Sequence, residues 1–363
     1  MKRFPAFDPP EYVDWTLDPT LLDAYHQTLQ QDPARQAIVD RLTPDQLRSL
    51  YRGLLRNRLH DIALKRWVKQ GVITKAWLGT GEEAVTIGGV HALQSGDVVA
   101  PMIRNAGACH EFGMPIVDMF RGYLATQDSP TQGRDLHIGD LKYNLIAPIS
   151  HVAAVIPVTV GVALGFKLRK QPRVAMTWVG DGSTKNGDFH EGANLAAAQQ
   201  VPMILVIQNN QVALGTRLEQ HHRGKFLAFA DAYGMPGAAF DGNNVLDAYA
   251  ATRIAADRAR AGGGPTLLVA ETFRMGGHAT HDEREARECF PAELFTHWGK
   301  RDPIGLFEGY LLANKICTAE ELGAMEAEVA REVDAAAEEA LLSRSQHPAD
   351  PRTVSHGVYA PVG

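Results

Sequence analysis

Two apolar runs with the length of buried strands flank one amphipathic segment near the middle of the chain. The first run, Val174–Val179, reads VAMTWV, and the second, Met203–Ile207, reads MILVI. Between them, Gly187–Gln200 carries Ala and Leu at helical spacing and ends just before Pro202. Strand, helix and strand in so short a span predict a βαβ crossover, in which two parallel strands lie side by side with their carboxyl ends at the same edge.

Further elements are predicted on both sides of this unit. Thr43 and Gln46 have the spacing of a capping box and Pro44 suits the first helical position, so we expect a helix from there to about Gln70. The other predicted elements are a helix opening in Gly79–Gly89, a short buried strand at Asp97–Ala100, a strand in Gly264–Glu271, a loop at Gly276–Phe290, a return to helix after Asp302-Pro303, and a helix from Thr318 (capped with Glu321) to about Ser343.

The longest apolar run, Ile149–Phe166, is interrupted by polar residues and proline, which favours a buried helix over a membrane span. Gly161 and Gly165 in this run would let another helix approach closely. That approach indicates either a contact with another subunit or tight internal packing, and the sequence leaves both open.

Length and composition fit one large α/β domain with appendages. The chain has 363 residues, of which 45% are hydrophobic. We expect an N-terminal arm with short helices at 1–43, punctuated by proline, an α/β domain at 44–305, and a C-terminal helical segment at 306–363 whose tail from Gln346 is loosely held. Within the α/β domain we expect a mostly parallel central sheet with helices on both faces.

Charge and cysteine content narrow the class of protein. The net charge of -6 and the lack of a basic cluster argue against nucleic acid as a partner. Three cysteines without paired spacing indicate free thiols in a reducing compartment. The N-terminus has neither an apolar signal segment nor the Arg-rich, acid-poor character of a mitochondrial presequence. We therefore predict a cytoplasmic protein that does not cross a membrane.

Hard oxygen ligands follow both strands of the crossover. Gly180-Asp181-Gly182 comes directly after the first strand and Asn209-Asn210 after the second. The Asp181 carboxylate and the Asn210 amide oxygen suit Mg²⁺, which takes few protein ligands and completes its shell with water and phosphate oxygens. Gly180 and Gly182 let the backbone approach such a phosphate. Taken separately, a GDG is most often a turn and an NN pair a loop, but their placement at one sheet edge predicts a diphosphate held through a metal.

GDG followed by NN at this spacing resembles the thiamine-diphosphate-binding motif. The surrounding text (GDFHEG, NLAAA, QNNQ) resembles the alpha subunit of the decarboxylating component of 2-oxo acid dehydrogenase complexes, and the resemblance runs from about Leu47 to about Pro303. It implies a thiamine-diphosphate-binding fold with thiamine diphosphate and Mg²⁺ as cofactors. The metal ligands that it implies are Asp181, Asn210 and the backbone carbonyl of Val212.

The same resemblance assigns further cofactor-binding residues. At the diphosphate these are Gly180, the backbones of Gly182 and Ser183, and the guanidinium of Arg104 in MIRNAG. Near the aminopyrimidine ring they are Ser150 and Val152 of ISHV. Relatives commonly have Tyr where this chain has Ile103, and Pro where it has His151. The change to Ile103 removes a hydroxyl from the expected phosphate contact.

Two histidines are the catalytic candidates. His278 of RMGGHATHD resembles a loop residue that touches the diphosphate and relays protons, and His137 of GRDLHIG matches a second loop histidine near the site. An ordinary imidazole pKa near neutrality suits proton relay. Ala279 follows His278 where mitochondrial members carry a phosphorylatable Ser, so kinase control at that position is excluded. A solvated loop histidine is the alternative for His278, and the role of His281 is left open.

The implied activity is decarboxylation of a 2-oxo acid, with the acyl group passing to a lipoyl arm of an acyltransferase core. A separate beta subunit supplies the other half of each site in this family, which implies a heterotetramer of two alpha and two beta chains. Pyruvate, branched-chain 2-oxo acids and acetoin remain open as substrates. Two alternatives are a non-catalytic partner subunit that has kept the fold, and a nicotinamide-dependent dehydrogenase; the second is disfavoured because no complete GxGxxG fingerprint follows a strand.

Overall fold

A five-stranded parallel sheet forms the centre of the molecule. The computed structural model describes residues 2–3 and 13–353, and in that part of the chain the sheet has the strand order β3-β4-β5-β9-β8. Its strands are β3 (Val98–Ala100), β4 (Ala175–Gly180), β5 (Met203–Asn209), β8 (Gly237–Asp241) and β9 (Thr266–Glu271). Two short antiparallel pairs, β1 (Lys2–Arg3) with β2 (Val13–Asp14) and β6 (Val212–Ala213) with β7 (Thr216–Arg217), stand apart from it.

Helices surround this sheet. Their bounds are α1 Pro19–Gln30, α2 Pro33–Val39, α3 Pro44–Lys69, α4 Glu83–His91, α5 Ala106–Glu111, α6 Ile116–Tyr123, α7 Val155–Leu168, α8 Gly187–Ala198, α9 Leu218–His221, α10 Ala228–Tyr233, α11 Val245–Arg260, α12 Glu283–Cys289, α13 Ala292–Gly299, α14 Pro303–Ala313 and α15 Ala319–Gln346. No helix in the described residues is both long enough and apolar enough to cross a membrane.

The two faces of the sheet bury alternate residues of each strand. On β4, Met176 and Trp178 belong to the core formed with α4 and α11, whereas Ala175 and Val179 belong to the core formed with α7 and α8. This alternation is the two-residue period of a strand that is covered on both faces. The predicted α/β fold with helices on both faces of a mostly parallel sheet is therefore confirmed.

A third core attaches the terminal helices to this layered centre. Leu50 and Leu54 of α3, Phe307 of α14, and Val329 and Val333 of α15 are buried in one cluster. The capping boxes predicted for α3 and α15 are both present, with Thr43 bonded to Gln46 and Thr318 bonded to Glu321. The division of the chain at about residues 43 and 305 stays a prediction.

Two sequence expectations are wrong in the second half of the chain. The segment Gly276–Phe290 is not wholly a loop, because α12 occupies Glu283–Cys289. The tail is held at its start, where Gln127 N donates to His347 O at 2.8 Å, and a 3₁₀ turn follows at Pro351–Thr353. The rest of the predicted loose tail, and the first three prolines of the predicted arm, lie outside the described residues.

Helix α7 is only partly buried, in contrast to the expectation for this run. It begins at Val155, since Ala153 adopts a φ of 68° in the turn before it. A Cβ built at Gly161 or Gly165 would meet no atom within 4 Å. The prediction of tight internal packing at these glycines is therefore wrong. The alternative, a contact with another subunit, stays a prediction.

Candidate active site

The βαβ unit places Asp181 and Asn210 at the same edge of the sheet. Gly180, the last residue of β4, pairs in register with Gln208 of the parallel strand β5. Asp181 follows directly after β4, and Asn210 follows directly after β5. Ligands of open α/β sheets bind at this carboxyl edge. The juxtaposition predicted from the two apolar runs is therefore present.

Asp181 has one buried oxygen without a hydrogen-bond partner. Its Oδ1 accepts from Gly182 N at 2.7 Å, whereas Oδ2 is buried and has no hydrogen-bond partner within the described part of the chain. Burial raises the pKa of this carboxyl to about 6. A buried carboxylate is costly unless a cation or further donors compensate it, so the site has a place for a positive ion.

His221 approaches the same oxygen but does not neutralise it. Its Nε2 lies 3.9 Å from Asp181 Oδ2, beyond hydrogen-bonding distance. Burial, followed by the nearby ammonium of Lys185, lowers the pKa of His221 below its ordinary value. A neutral imidazole at neutral pH adds no counter-charge for Asp181. This contact could not be predicted from the sequence, because α9 is a four-residue helix with no catalytic motif.

The two ends of the buried Asn210 amide have different partners. Its Nδ2 donates to Glu82 Oε1 at 2.9 Å, and its Oδ1 accepts only a long bond from Val212 N at 3.4 Å. Val212 opens the short strand β6 and is buried. A Cβ on Gly182 would lie 2.6 Å from Ala213 Cβ, so only glycine allows β6 to pack this closely against the turn after β4.

Two buried guanidinium groups face this turn. Arg104 donates through Nε to Glu82 Oε2 at 3.3 Å, and its Nη2 is buried without a partner among the described residues. That Nη2 lies 3.7 Å from where a Cβ on Gly180 would be. Arg274 donates to the carbonyls of Leu214 and Gly276, and burial, then the charge of Arg104, lowers its pKa to about 10. Two cations this close attract an anion.

Part of the set assigned to the coenzyme lines one cavity of about 500 Å³, whereas Gly180, Asp181, Gly182 and Asn210 are not among its lining residues. Its wall includes Arg104, His137, Ser150, Val152, Ser183 and His278, together with Ile103. Ser150 Oγ lies 3.0 Å from His137 Nε2, and His137 Nδ1 lies 2.8 Å from Asp135 Oδ1. This chain of contacts fixes the orientation of the His137 ring. Val152 is 51% exposed at the mouth of the cavity.

The loop that carries His278 is tied to the segment before α4. Met275 N donates to Thr80 O at 3.1 Å, and Thr280 N donates to Ala76 O at 2.9 Å. Burial, followed by the charges of Arg104 and Arg274, lowers the pKa of His278 to about 4. The expectation of an ordinary imidazole pKa near neutrality is therefore wrong for this structure, since the two guanidinium groups disfavour a third positive charge.

The donor set fits a cation and a diphosphate together. A buried carboxylate oxygen and a buried guanidinium nitrogen flank one glycine-containing turn, and neither has a hydrogen-bond partner within residues 13–353. No cluster of three or more His, Cys, Asp or Glu side chains suited to a metal occurs in the described residues. The expected site would not form such a cluster, because one carboxylate, one amide and one backbone carbonyl include only a single Asp side chain. Mg²⁺ accepts so few protein ligands when phosphate oxygens and water complete its shell.

Fold and site together define the class: an α/β protein with a parallel central sheet and a candidate ligand site at the carboxyl edge of that sheet. Residues 51–349 match the family described as dehydrogenase E1 component. The chain is 34% identical over 283 residues, 76% of its length and 72% of the relative's, to a pyruvate dehydrogenase E1 component subunit alpha of Bacillus cereus. It is 31% identical over 316 residues to the Porphyra purpurea protein of that name, covering 83% of this chain and 90% of the relative.

A third relative carries a different name. The 2-oxoisovalerate dehydrogenase subunit alpha of Bacillus subtilis is 32% identical over 275 residues, which is 74% of this chain and 83% of the relative. The extent of the family match and of these relatives shows that the chain belongs to the dehydrogenase E1 component family. Membership of this family implies thiamine diphosphate as the coenzyme, in agreement with the donor set described above.

Proposed function

We propose that this chain is the alpha subunit of a thiamine-diphosphate-dependent 2-oxo acid dehydrogenase, which acts on pyruvate or a branched-chain 2-oxo acid together with a separate beta subunit. One observation carries the proposal: beside the turn from Gly180 to Ser183, Asp181 Oδ2 and Arg104 Nη2 are both buried and have no hydrogen-bond partner in the part of the chain that the structure describes. A cation and an anion bound next to each other would compensate both groups. The names of the relatives support the two substrate classes.

Asp181, Asn210 and the backbone carbonyl of Val212 would hold Mg²⁺. The Arg104 guanidinium and the backbone amides of Gly182 and Ser183 would hold the diphosphate. Because Asp181 carries a pKa raised by burial, a divalent cation would bind in competition with a proton there. Arg274 adds a second buried positive charge without any need to move, as its donors are already held by two carbonyls.

The cavity wall orients the reacting groups. Bound thiamine diphosphate would supply the electron sink for loss of carbon dioxide from the 2-oxo acid. His137, fixed between Asp135 and Ser150, keeps one ring orientation toward the cavity, and Ser150 and Val152 form the part of the wall assigned to the aminopyrimidine. His278 is neutral near pH 7, and a bound diphosphate would offset the charges of Arg104 and Arg274, raise the pKa of His278 and so let it accept a proton there.

A beta subunit would cover this cavity. Val152 at its mouth is 51% exposed and Ser150 is exposed, although both lie among residues assigned to the coenzyme. The relatives are named as alpha subunits, which supports a second chain as the source of the other half of the site. We propose an assembly of two alpha and two beta chains that passes its acyl group to the lipoyl arm of an acyltransferase.

The test is decarboxylation of a panel of 2-oxo acids after co-expression with a beta subunit of this family. We expect activity that requires both chains and Mg²⁺, and none from this chain alone. Thermal denaturation of this chain with thiamine diphosphate and Mg²⁺ separates a catalytic from a non-catalytic subunit, because a ligand that binds only the folded state must raise its stability. Decarboxylation by the isolated chain, or no stabilisation by the coenzyme, would contradict the proposal.

A further inference from the structure

One buried carboxylate, Glu82, contacts two residues of the candidate active site and a third residue beside them. Glu82 lies immediately before α4 and is only 1% exposed. Its Oε1 accepts hydrogen bonds from Gln208 Nε2 and Asn210 Nδ2, both at 2.9 Å, and its Oε2 accepts from Arg104 Nε at 3.3 Å. No sequence motif singled out this residue. Both of its oxygens are directed at groups that face the cation and diphosphate positions.

The contact with Asn210 determines which end of its amide faces the cation. A carboxamide has a donor end and an acceptor end, and only the oxygen can bind a metal. Because Nδ2 donates to Glu82, Oδ1 has to point the other way, toward the backbone of Val212. Glu82 therefore selects the amide orientation that suits a metal ligand.

The neighbouring Gln208 cannot perform this task in place of Glu82. Its own amide oxygen accepts from Asn105 Nδ2 at 2.9 Å, and Asn105 also donates to Thr86 Oγ1 at 2.7 Å. With its oxygen engaged, Gln208 presents its N–H group to Glu82 at 2.9 Å. The two amides at the end of β5 thus both depend on the same acceptor oxygen.

The contact with Arg104 acts on the anion side. Glu82 occupies the Nε of the guanidinium and leaves Nη2 buried without a partner in the described residues, next to Gly180. A guanidinium has five N–H groups in a fixed plane, so anchoring one of them sets the direction of the others. One side chain thereby orients both a metal ligand and a diphosphate ligand.

We propose that Glu82 is a positioning residue that fixes the Asn210 amide and the Arg104 guanidinium for cation and diphosphate binding. This inference rests on the proposed function of the same site. Glu82 itself touches neither ligand and acts through these two side chains. The alternative is that its contacts merely join α4 to the sheet.

The chain offers a matched control at the adjacent residue. Asn209 Nδ2 donates to Glu271 Oε2 at 2.7 Å, which is the same asparagine–glutamate contact one residue earlier in β5. Glu271 lines a different cavity, with Arg217 and Phe226, and contacts no residue assigned to the coenzyme. Glu271→Gln should therefore change a strand-end contact without changing cation or diphosphate binding.

The experiment measures binding by the full chain of Mn²⁺ in the presence of thiamine diphosphate, and of inorganic pyrophosphate in the presence of Mg²⁺. For Glu82→Leu we expect both affinities to fall by roughly tenfold or more, as a buried donor loses its partner. Glu82→Gln keeps an acceptor oxygen for Asn210 but turns an N–H toward Arg104. We expect it to restore Mn²⁺ affinity to within about threefold of wild type while pyrophosphate affinity stays roughly tenfold lower. Glu271→Gln should match wild type.

A second comparison tests whether Glu82 acts through Asn210. In an Asn210→Ala background, Glu82→Leu should not weaken Mn²⁺ binding further, because the group it orients has gone. Unchanged affinities in both Glu82 variants, or equal losses in Glu82→Gln and Glu271→Gln, would overturn the inference. If Glu82→Leu does not fold, the nearly isosteric Glu82→Gln decides the question alone through its pyrophosphate affinity. Failure of the wild-type chain to bind either probe would instead overturn the proposed function, and this inference with it.

Discussion

Ionisation of the buried Asp181 carboxyl is unfavourable in the absence of a bound cation, and this cost favours cation binding. Burial raises its pKa from 3.8 to about 6, so the native state holds a proton more tightly than the unfolded state does. The stabilisation from this protonated carboxyl is therefore lost as pH rises from about 4 through 6. At pH 7 the ionised group destabilises the ligand-free fold by up to about 3 kcal/mol.

Replacing that carboxylate should therefore stabilise the protein while abolishing its function. For Asp181→Asn we expect the free energy of unfolding in urea at pH 7, without ligands, to rise by about 1–3 kcal/mol. Stabilisation by thiamine diphosphate with Mg²⁺ should disappear in the same variant. Asp257→Asn, at an exposed helical ion pair with Arg253, is the control and should change neither quantity appreciably. A destabilised Asp181→Asn would show that the carboxylate is already compensated within the protein.

The His278 pKa should report binding of an anion. We expect a pKa of about 4 in the ligand-free chain, because burial and two guanidinium groups disfavour the imidazolium. Pyrophosphate with Mg²⁺ should raise this pKa, since the bound anion offsets the charges of Arg104 and Arg274. NMR titration of ¹⁵N-labelled histidine measures the value, and His278→Gln assigns the signal. A pKa near 6.5 without the anion would contradict the described environment.

Residues adjacent to the predicted strands could be placed from the sequence, whereas their supporting contacts could not. Asp181 and Asn210 each directly follow an apolar run, so strand pairing alone brings them to one edge. The Glu82–Asn210 bond joins residues 128 positions apart. No local pattern encodes such a contact, and the lowered pKa of His278 likewise depends in part on the distant Arg104.

At the scale of elements, a buried ionic cluster joins three helices beneath the site. Arg58 of α3 contacts Glu83 of α4 through Nε, and its Nη1 donates to Asp302 Oδ2 at 2.9 Å. Asp302 also caps α14, since its Oδ1 accepts from Ile304 N and Gly305 N, both at 3.0 Å. Because Glu83 follows Glu82 directly, this cluster fixes the start of the helix that bears the positioning carboxylate.

Removing the cation of this cluster should be strongly destabilising. Arg58→Met leaves two buried carboxylates without their shared counter-charge, and we expect a loss of about 3–5 kcal/mol in the free energy of unfolding. Arg284→Ala, which breaks the exposed Arg284–Glu288 pair on α12, should cost less than about 0.5 kcal/mol. Urea denaturation at pH 7 compares the two variants with wild type. Similar losses for both would mean that the buried cluster contributes no more than a surface pair.

Helices with their own caps were recoverable from sequence, and helices fixed by tertiary contacts were not. Thr43 and Thr318 mark the starts of α3 and α15 through local side-chain bonds. The charged helix α12 buries only Ala286, so it shows no apolar period. Its first residue, Glu283, is instead held by Lys65 of α3 at 2.9 Å, a contact that local periodicity does not indicate.

At the scale of the whole molecule, the complete strand order of the sheet could not be predicted from hydrophobic periodicity. The pairing of β4 with β5 follows from one short crossover, and β9 was visible as an apolar run. The edge strand β8 reads GAAFD. This run is short and consists mostly of small residues, so its sequence cannot be distinguished from that of a loop. Its position beside β9 comes from packing of α11, which crosses back over the sheet.

Helix α7 is where the whole molecule should meet another subunit. Its apolar face remains open, with Leu168 75% exposed, Val158 43% exposed and free space over Gly161. Gly161→Leu should raise the free energy of unfolding of this chain by up to about 1 kcal/mol, since leucine favours a helix over glycine. The added side chain should nevertheless weaken assembly with the beta subunit, as measured by light scattering of the co-purified complex. Gly323→Leu on the polar helix α15 is equally unobstructed and should stabilise the chain without changing the mass of the complex, so equal masses for both variants would exclude the α7 face as a contact.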